Sequence, residues 1–535
     1  MEKLIQFIED VSSTNIVYSK PEGALRDVSG MVRNVPLIIY PKDKSEIQLI
    51  IQLANKYLVR IYPVSCGKNW GFGSSLPIEN NTVVINLKDF NNIENIDVIN
   101  GYATIAPGVT QEQLAKALAD TPYFIDVTGS SADSSIIGNA LERGIAYNSL
   151  RVENISELEV MLPSGDTINT GFSGLTNKSA SNYPWGIGPS LDGLFFQSSF
   201  GIVTAAKIKL IKRTMNAKSF FVALKDEKDL FLFVESLKPL LEDNLINCIP
   251  HIFNSERLYP GFAPLLWKYF KNINVEKSRD EIDLLLNKQF HGKWFATGNL
   301  RGTSEQINLG VKYLKKITPK NSKLQFIGKR EKYLCQILKK FPFFHELKAF
   351  IYVTDELGDL TCGTPTNLTL PGINWVVPGN ESSLFDLDID KSGTGGFLYF
   401  TPMCNYTLTD IEVMLNTTIK VAQDFHLVPA ITLNAIKPNI MEGVISVSFN
   451  KHNFVEVQNA HQCIREMNRA MISLGFLPYR NNIDMMDVLT YKKDYEQILF
   501  KLKQIFDPNS ILSNGRYIPT DKSLEISVKS VKVAA

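Results

Sequence analysis

Two glycine- and serine-rich loops, each directly after a predicted strand, constrain the fold of this 535-residue chain more than any other feature. The first loop covers residues 65–75 and the second covers residues 129–135. Glycine permits positive φ and a close approach of the backbone to a ligand, and successive backbone N–H groups can bind an anion. Neither loop is a Walker A motif, and neither is a Gly-x-Gly-x-x-Gly that enters a helix. One such loop alone is typical of an ordinary connection, but the pair favours a phosphate-bearing cofactor.

The first 215 residues alternate short apolar runs with segments of helical spacing. Apolar runs at residues 36–40, 59–64, 83–87 and 102–105 predict strands. A helix capped by Ser45 is predicted between the first two runs, with a buried face made of Ile47, Ile50, Ile51, Ala54 and Leu58. Thr110 and Gln113 form a predicted capping box for another helix. This alternation indicates an α+β domain around the two loops.

The character of the chain changes near residue 216, where the segments become longer and more helical. The stretch 312–340 contains ten Lys or Arg residues and one acid, Glu331. Short motifs return from about Tyr479 onward. We therefore predict a domain over residues 1–215, a large inserted α+β domain over residues 216–478, and a C-terminal segment over residues 479–535 that packs back on the first domain.

Charge and cysteine content exclude several classes of protein. The sum of 56 basic and 55 acidic residues is +1, which gives no argument for nucleic acid or an anionic membrane as the main partner. The six cysteines form no Cys-x-x-Cys pair, and the carboxylates have no metal-ligand spacing, so we predict reduced thiols and no metal site. The N-terminus lacks signal-peptide character, and no apolar run is long enough to span a membrane. We expect a cytoplasmic protein.

Five motifs, in order along the chain, resemble the flavoprotein family of vanillyl-alcohol oxidase and of the 4-cresol dehydrogenase flavoprotein subunit. They are the first loop at residues 65–75 with Pro77, and the segments 137–147, 192–204, 479–480 and 507–516. Together they extend over nearly the whole chain. The resemblance implies an FAD-binding domain of the PCMH type made of two subdomains, with an inserted cap domain that covers the isoalloxazine ring and forms most of the substrate pocket.

The resemblance also implies which residues bind FAD. The pyrophosphate is expected on the two Gly-Ser loops, and residues 201–203 are expected near the adenine. The predicted FAD-binding residues are Ser65, Gly67, Lys68, Asn69, Trp70, Gly71, Gly73, Ser74, Gly129, Ser131, Ile137, Gly138, Asn139, Arg143, Gly144, Tyr147, Gly201, Ile202, Val203, Arg480 and Arg516.

Several members of the family attach the flavin covalently through a histidine or a tyrosine. At the matching Met-His-His stretch, this chain has Glu442 and Gly443 in place of the histidines. The first loop has no histidine either, and Cys66 is the nucleophilic side chain within it. A packed small residue is the favoured interpretation of Cys66. We therefore predict non-covalent, dissociable FAD.

The catalytic residues implied by the resemblance are Tyr479 and Arg480, which match a phenolate-binding tyrosine and an arginine beside the flavin. Three positions depart from the phenol-oxidising pattern: Phe72 and Leu150 replace pocket tyrosines, and Ser130 replaces the acid beside flavin N5. Asp133, three residues further on, is an alternative base, although a turn or helix cap is its favoured role. These departures argue against a simple 4-alkylphenol as the substrate.

We therefore predict an FAD-dependent oxidase or dehydrogenase in which hydride passes from a small, aromatic or partly apolar biosynthetic substrate to flavin N5. One alternative is a 4-alkylphenol oxidase or hydroxylase acting through a quinone methide, and a second is a non-catalytic flavin-binding protein. O2 or another acceptor takes the electrons. The lysine-rich stretch 312–340 is either a solvated face or a docking surface for an acidic partner, such as a carrier protein that presents the substrate. Because family members are commonly dimers or larger, a homodimer is a further alternative.

Overall fold

The computed structural model describes residues 2–176, 183–214, 216–328, 333, 337, 345–357, 360–379 and 383–518. The strands in these ranges are β1 Val17–Ser19, β2 Leu25–Arg26, β3 Val32–Arg33, β4 Ile38–Tyr40, β5 Ile61–Val64, β6 Val83–Asn86, β7 Ile93–Asp97, β8 Tyr102–Ile105, β9 Tyr123–Phe124, β10 Ile155–Met161, β11 Thr167–Asn169, β12 Ile202–Lys209, β13 Ile211–Lys212, β14 Asn216–Leu224, β15 His251–Asn254, β16 Trp294–Gly302, β17 Lys323–Ile327, β18 Gly395–Phe400, β19 Met403–Asn405, β20 Ala430–Lys437 and β21 Ile440–Asn450.

The α-helices lie between these strands and after them. They are α1 Glu2–Ser12, α2 Lys44–Tyr57, α3 Gln111–Ala117, α4 Ile136–Leu141, α5 Glu227–Glu242, α6 Ser255–Asn272, α7 Arg279–Phe290, α8 Ser304–Ile317, α9 His345–Glu356, α10 Pro371–Val376, α11 Leu408–Asp424, α12 Phe454–Ser473 and α13 Lys493–Phe506. Part of the lysine-rich stretch, including residues 329–332, lies outside the described residues.

The first sheet has the strand order β1-β4-β6-β5, with β4, β6 and β5 parallel and β1 antiparallel at the edge. Helix α2 covers it and buries the apolar residues that the helical spacing predicted, apart from Leu58. Leu58 instead ends the helix at φ +54° and is 53% exposed. The prediction for Ser45 was also wrong, because Asp43 caps the helix by accepting from the backbone N–H of Glu46, and Ser45 donates to Asp43.

The second sheet is antiparallel, with the order β11-β10-β12-β8-β7. Helices α3 and α4 pack against it and share its apolar core. The capping box of Thr110 and Gln113 is confirmed at the start of α3. Ser135 caps α4, so the second Gly-Ser loop leads directly into that helix.

The third sheet is the largest, with eight antiparallel strands whose main path is β17-β14-β16-β15-β20-β21-β18, and with β19 paired to β21. One face buries α5, α8, α11 and α12 in the largest apolar cluster. Side chains from the opposite face, among them Phe221, Phe253 and Thr297, point towards the two Gly-Ser loops. This sheet thus forms a roof over the first two sheets. The boundaries of the three predicted domains stay predictions.

The C-terminal segment returns to the first two sheets. Leu512 forms a parallel bridge to Ile61, beside the start of the first Gly-Ser loop. The buried ammonium of Lys503 donates to Asp507 and to the carbonyl oxygens of Ser199 and Leu512. These contacts fix the segment that carries Arg480 and Arg516. The fold is of the α+β class, as predicted.

Candidate active site

A cavity of about 1250 Å³ lies between the two Gly-Ser loops and the third sheet. Residues of both loops form its floor, residues of α4 and of the segment 195–203 form one side, and side chains of the large sheet form its roof. Its volume slightly exceeds the range of about 300–1,000 Å³ typical of small-molecule sites. The cavity therefore has room for a cofactor and a substrate together.

The first Gly-Ser loop is held against the roof by close packing and hydrogen bonds. Gly71 has φ +75°, and a Cβ there would lie 2.6 Å from Tyr399. Asp390, just before β18, accepts from Trp70 Nε1 at 3.0 Å and from Ser74 Oγ at 2.7 Å. Burial raises the pKa of the Asp390 carboxyl. One carboxylate of the roof domain thus fixes the shape of the loop.

Helix α4, which follows the second Gly-Ser loop, contacts the first loop at Gly138, where a Cβ would lie 2.6 Å from Ser65 Oγ. The hydroxyl of Ser130 is hydrogen-bonded to those of Thr128 and Ser134. Beyond this chain of hydroxyls, Asn367 accepts from Ser131 Oγ and from the backbone N–H of residue 132. Both loops therefore present backbone and hydroxyl groups to the same cavity.

These features fit a dinucleotide cofactor bound along the floor. The glycines leave no side chain between the loop backbones and the cavity, which is what the close approach of a pyrophosphate needs. Asn139 lines the cavity, and its buried Oδ1 has no hydrogen-bond partner among the described residues. The residues present thus offer both space and unpaired polar atoms to FAD.

A buried cluster of charges lies at one end of the floor, around Glu142. Arg516 donates to Glu142 through Nε and Nη2, and Arg516 Nη1 donates to the hydroxyl of Tyr62 at 2.6 Å. The guanidinium of Arg480 is 3.8 Å from the same carboxylate. Burial by itself would raise the pKa of Glu142, but the two guanidinium groups more than offset this and hold it below its usual range.

Arg480 joins this cluster to the first Gly-Ser loop. Its guanidinium lies 4.4 Å from the ring centroid of Phe72 and donates to Asn69. Phe72 in turn stacks on Tyr399 of the roof, with ring centroids 5.4 Å apart. Arg480 therefore lies where floor and roof meet.

A second polar cluster runs through the roof from Arg480. The hydroxyl of Tyr479 is hydrogen-bonded to Glu442, which is fully buried on β21 and accepts from Asn434 Nδ2 at 2.7 Å. Burial raises the pKa of Glu442 to about 7, and that of Tyr479 well above its usual value. Burial also lowers the pKa of His251 to about 4, partly offset by Asn434. His251 packs against the ring of Tyr147 at the cavity wall.

Among the described residues, the rest of the roof is mostly aromatic and also contains the cation Arg257. The aromatic residues that line it are Phe221, Phe253, Phe262, Phe290, Phe326, Phe350, Phe397 and Tyr399. Arg257 lies 5.6 Å from the ring centroid of Tyr399. A pocket of this kind suits a ligand with an aromatic or apolar body and a small number of polar groups.

Most of the residues predicted from the sequence line this cavity. Ser130, Phe72 and Arg480 do so, as do the predicted FAD-binding residues except Gly71, Gly73, Ser131, Arg143 and Gly144. Tyr479 and Leu150 do not line it either. Leu150 forms a β-bridge with Ile145, and Asp133 accepts from Asn367 at 2.9 Å. The roles assigned to these residues stay predictions.

Cys66 lines the cavity as a neutral thiol, because burial raises its pKa to about 12. The described ranges contain no group of three or more His, Cys, Asp or Glu residues arranged to bind a metal ion. Within the same ranges, no helix is both long and apolar enough to cross a membrane.

Comparison with known proteins defines the class. Residues 35–171 match the family described as FAD binding domain. The whole fold matches the structure of p-cresol methylhydroxylase with substrate bound, with a TM-score of 0.74 and 24% identity over 90% of this chain and 89% of that one. It also matches the 4-ethylphenol oxidase from Gulosibacter chungangensis in complex with isoeugenol, with a TM-score of 0.79 and 20% identity over 97% of both chains. The protein is an FAD-dependent oxidoreductase with a PCMH-type fold.

Two curated relatives extend over most of the chain. The 1'-carboxy-chondrochloren decarboxylase of Chondromyces crocatus is 28% identical over 90% of both proteins. The 4-cresol dehydrogenase [hydroxylating] flavoprotein subunit of Pseudomonas putida is 25% identical over 88% of this chain and 85% of its own length. The resemblance predicted from the sequence is confirmed, as are FAD as cofactor and enzymatic function over the alternative of a non-catalytic flavin-binding protein.

Sequence reasoning missed the residues that the roof contributes. Asp390, Arg257, His251 and Asn434 carry no local motif and reach the site through the pairing of distant strands. Glu442 was noted only as the replacement for a histidine. Its partner Asn434 lies eight residues earlier, but a sequence alone does not reveal that the two face each other across a hairpin.

Proposed function

We propose that the protein oxidises a C–H, C–OH or C–N bond of a small, aromatic or partly apolar molecule that binds between the Gly-Ser loops and the aromatic roof. The observation that carries the proposal is the roof itself, whose aromatic side chains cover the floor where the predicted FAD-binding residues lie. FAD, when bound, supplies the chemistry by accepting two electrons from the substrate. The chain's own part is to bind and orient the substrate, to exclude water and to stabilise charge.

Arg480 is the proposed electrostatic residue of the site. It is fixed by Asn69, Phe72 and Glu142 at the junction of floor and roof, so it is held in place before a ligand arrives. Preorganised positive charge stabilises negative charge that develops beside it at little reorganisation cost. The neighbouring residue Tyr479 is hydrogen-bonded to Glu442 of the roof, and this bond helps to hold Arg480 in its position.

We infer that the FAD is dissociable. At the predicted position of a linking histidine, Glu442 is buried and hydrogen-bonded to Asn434 and Tyr479. Cys66 in the first loop is protonated at neutral pH, and a neutral thiol is a poor nucleophile. These two observations support a cofactor bound by contacts alone.

The proposal is tested by anaerobic reduction of the purified holoenzyme with a substrate panel. The panel comprises aryl alcohols, arylalkylamines, 4-alkylphenols and arylalkanoic acids, and the readout is loss of the oxidised flavin absorbance. We expect bleaching by one class with an aromatic body. Bleaching by dithionite but by none of these classes would contradict the proposal. Reoxidation of the bleached enzyme by O2 or by an artificial acceptor then identifies the kind of electron acceptor.

A 4-alkylphenol oxidase acting through a quinone methide is the second candidate. It is favoured by the retained Tyr479–Arg480 pair and by relatives named for 4-cresol. Phe72→Tyr separates the two candidates. If Tyr479 and Arg480 suffice for phenol oxidation, the wild type oxidises 4-cresol or vanillyl alcohol well and Phe72→Tyr leaves that activity unchanged. If the main proposal is right, the wild type oxidises these phenols poorly.

The partners are also proposals. On α8 and just after it, Lys312, Lys315, Lys316, Lys320 and Lys323 are exposed and supply part of a basic surface. This surface would suit an acidic carrier protein or electron acceptor. Turnover that depends on salt with a carrier-bound substrate, but not with the free substrate, would support the carrier protein.

Sedimentation at equilibrium tests whether the chain forms a homodimer.

A further inference from the structure

We propose that Arg257 binds a carboxylate of the substrate, so that the substrate class is an aromatic or partly apolar carboxylic acid. This inference rests on the proposed function and narrows it. It concerns binding alone and adds no chemical step to the oxidation.

Arg257 is fixed in the roof but is not neutralised there. Its Nη2 donates to the carbonyl oxygens of Ala430 at 2.9 Å and Val444 at 3.2 Å. Its Nε is buried without a hydrogen-bond partner among the described residues. Among the described residues, no carboxylate lies within 4.0 Å of the guanidinium. The neighbouring Glu256 also lines the cavity, but it is exposed and its Oε1 accepts from Ser255. The cation therefore faces the cavity with donors to spare.

The other arginines of the cavity differ in this respect. Arg516 forms an ion pair with Glu142, and Arg480 lies near the same carboxylate. The Arg257 side chain is half-buried, with its Nε atom shielded from solvent. Holding a cation partly out of water without a counterion is costly, and a bound anion offsets that cost. Of these three guanidinium groups, only that of Arg257 lacks a carboxylate within ion-pair distance in the described ranges, and the planar fork of arginine matches a carboxylate in two hydrogen bonds.

Hydroxyl groups beside Arg257 complete the polar part of the roof. Ser446 on β21 pairs with Ala430 on one side and with Tyr399 on the other, so it is the cross-strand neighbour of the residue whose carbonyl accepts from Arg257. Both Ser446 and Tyr399 line the cavity. Aromatic rings surround this group of donors, which suits an apolar body that ends in an anion.

The comparison with known proteins supports a carboxylate. The name of one relative that matches most of the chain, 1'-carboxy-chondrochloren decarboxylase, describes an enzyme whose substrate carries a carboxyl group. A purely structural role is the competing explanation for Arg257, because its two bonds also tie α6 to β20 and β21. Such a role predicts equal effects on charged and neutral ligands, and the experiment below separates the two.

The test compares 3-(4-hydroxyphenyl)propanoate with its primary amide as ligands of the holoenzyme. The dissociation constant of each is measured from the perturbation of the flavin absorbance, in the wild type, in Arg257→Gln and in Arg279→Gln. Arg279 is the matched control, because it also donates to a carbonyl and stacks on an aromatic ring, that of Trp375, but does not line the cavity.

We expect the wild type to bind the acid roughly tenfold to a hundredfold more tightly than the amide, and Arg257→Gln to lose most of that preference. Arg279→Gln should keep it. Equal binding of acid and amide by the wild type, or an equal loss of both in Arg257→Gln, would overturn the role of Arg257 and leave the proposed function intact.

Binding of neither ligand to the wild type would overturn the inference, whereas the proposed function fails only if no class of the substrate panel bleaches the flavin. The wild-type comparison does not depend on any variant folding. Arg257→Lys gives a second variant that keeps the charge without the fork, and we expect it to retain part of the preference for the acid.

Discussion

At the residue scale, Glu442 is a carboxyl group buried in the roof with a strongly raised pKa. Its carboxyl is fully buried between Asn434 and Tyr479, and burial raises its pKa from 4.5 to about 7. Asn434 and Tyr479 oppose this shift without cancelling it. The carboxyl is therefore largely protonated in the folded protein at mildly acidic pH, where it would be ionised in the unfolded chain.

This difference predicts a pH-dependent effect of Glu442→Gln. Between about pH 4.5 and about pH 7 the folded state binds more protons at this residue than the unfolded state, so its contribution to stability falls as pH rises. Glutamine stays neutral throughout. We expect the variant to gain stability relative to the wild type between about pH 5 and about pH 8, by up to about 3 kcal/mol.

Thermal unfolding of the wild type and of Glu442→Gln at about pH 5 and at about pH 8 measures this change. Glu112→Gln on the exposed face of α3 reports the effect of removing a carboxyl at the surface. A difference between wild type and Glu442→Gln that is the same at both pH values would contradict the proposed burial of a protonated carboxyl.

At the element scale, the first Gly-Ser loop is shaped by an element that is distant in sequence. Asp390 accepts from Val28, Trp70 and Ser74, which joins the segment before β18 to the loop and to the N-terminal region. Both carboxylate oxygens act as acceptors there. The shape of this loop, which we propose binds FAD, is therefore fixed by the roof as well as by its own glycines.

We predict that Asp390→Asn weakens FAD binding by roughly tenfold or more, because one acceptor becomes an N–H donor that faces Trp70 or Ser74. Titration of the apoprotein with FAD, followed by flavin fluorescence, measures the change. Asp388→Asn is the control, since this side chain lies two residues away and pairs with the exposed Lys391. Equal FAD affinity of Asp390→Asn and wild type would show that the loop does not need this carboxylate.

Gly71 gives a second prediction for the same loop. Alanine there must adopt φ near +75° and also place a Cβ 2.6 Å from Tyr399 and 2.7 Å from Phe397. Gly475→Ala has a similar φ of +83° but meets no atom within 4 Å, so it carries the backbone cost of about 1–2 kcal/mol alone. We expect Gly71→Ala to lower the unfolding midpoint more than Gly475→Ala and to release FAD. Equal midpoints in the two variants would contradict the close contact between loop and roof.

Local sequence patterns predicted most features of the helices in the floor, but not all of them. The capping box at Thr110 depends on two residues three positions apart, and the buried face of α2 on a spacing within one helix, so both were predictable. The cap of α2 was not, because Asp43 and Ser45 are both good caps and the reach of Asp43 to Glu46 decides between them. Leu58 fits the apolar spacing, but its left-handed backbone ends the helix and turns the side chain outward.

For the candidate site, the sequence predicted the residues of the floor but not those of the roof. Floor residues lie in contiguous motifs, so Lys68, Asn139 and Arg516 could be identified. Roof residues come from strands that pair across large separations: β15, β20 and β21 bring together His251, Asn434 and Glu442. Tyr479 was expected in the pocket, whereas its hydroxyl is hydrogen-bonded to Glu442 behind the lining residues.

At the scale of the whole molecule, the C-terminal segment meets the first two sheets at the cluster around Glu142. Arg516 from the C-terminal segment contacts Glu142 after α4 and Tyr62 on β5. Arg480 joins the same cluster and contacts the roof. The cluster therefore links both floor sheets, the C-terminal segment and the roof through one buried carboxylate.

We predict that Arg516→Met destabilises the protein by about 3–5 kcal/mol, because it leaves the buried Glu142 with only the more distant Arg480 as a cationic partner. The double variant Glu142→Gln with Arg516→Met should recover a large part of the loss. Urea unfolding of the wild type, both single variants and the double variant measures the coupling. Additive effects of the two substitutions would contradict a coupled buried pair.

The most direct test of the whole account is acid precipitation of the purified protein, with the flavin measured in supernatant and pellet. We predict a yellow protein whose FAD appears in the supernatant, because we propose that the Gly-Ser loops hold the cofactor by non-covalent contacts. A yellow pellet would contradict the proposal that the FAD is dissociable. A colourless protein that takes up no added FAD would contradict the assignment of the cavity itself.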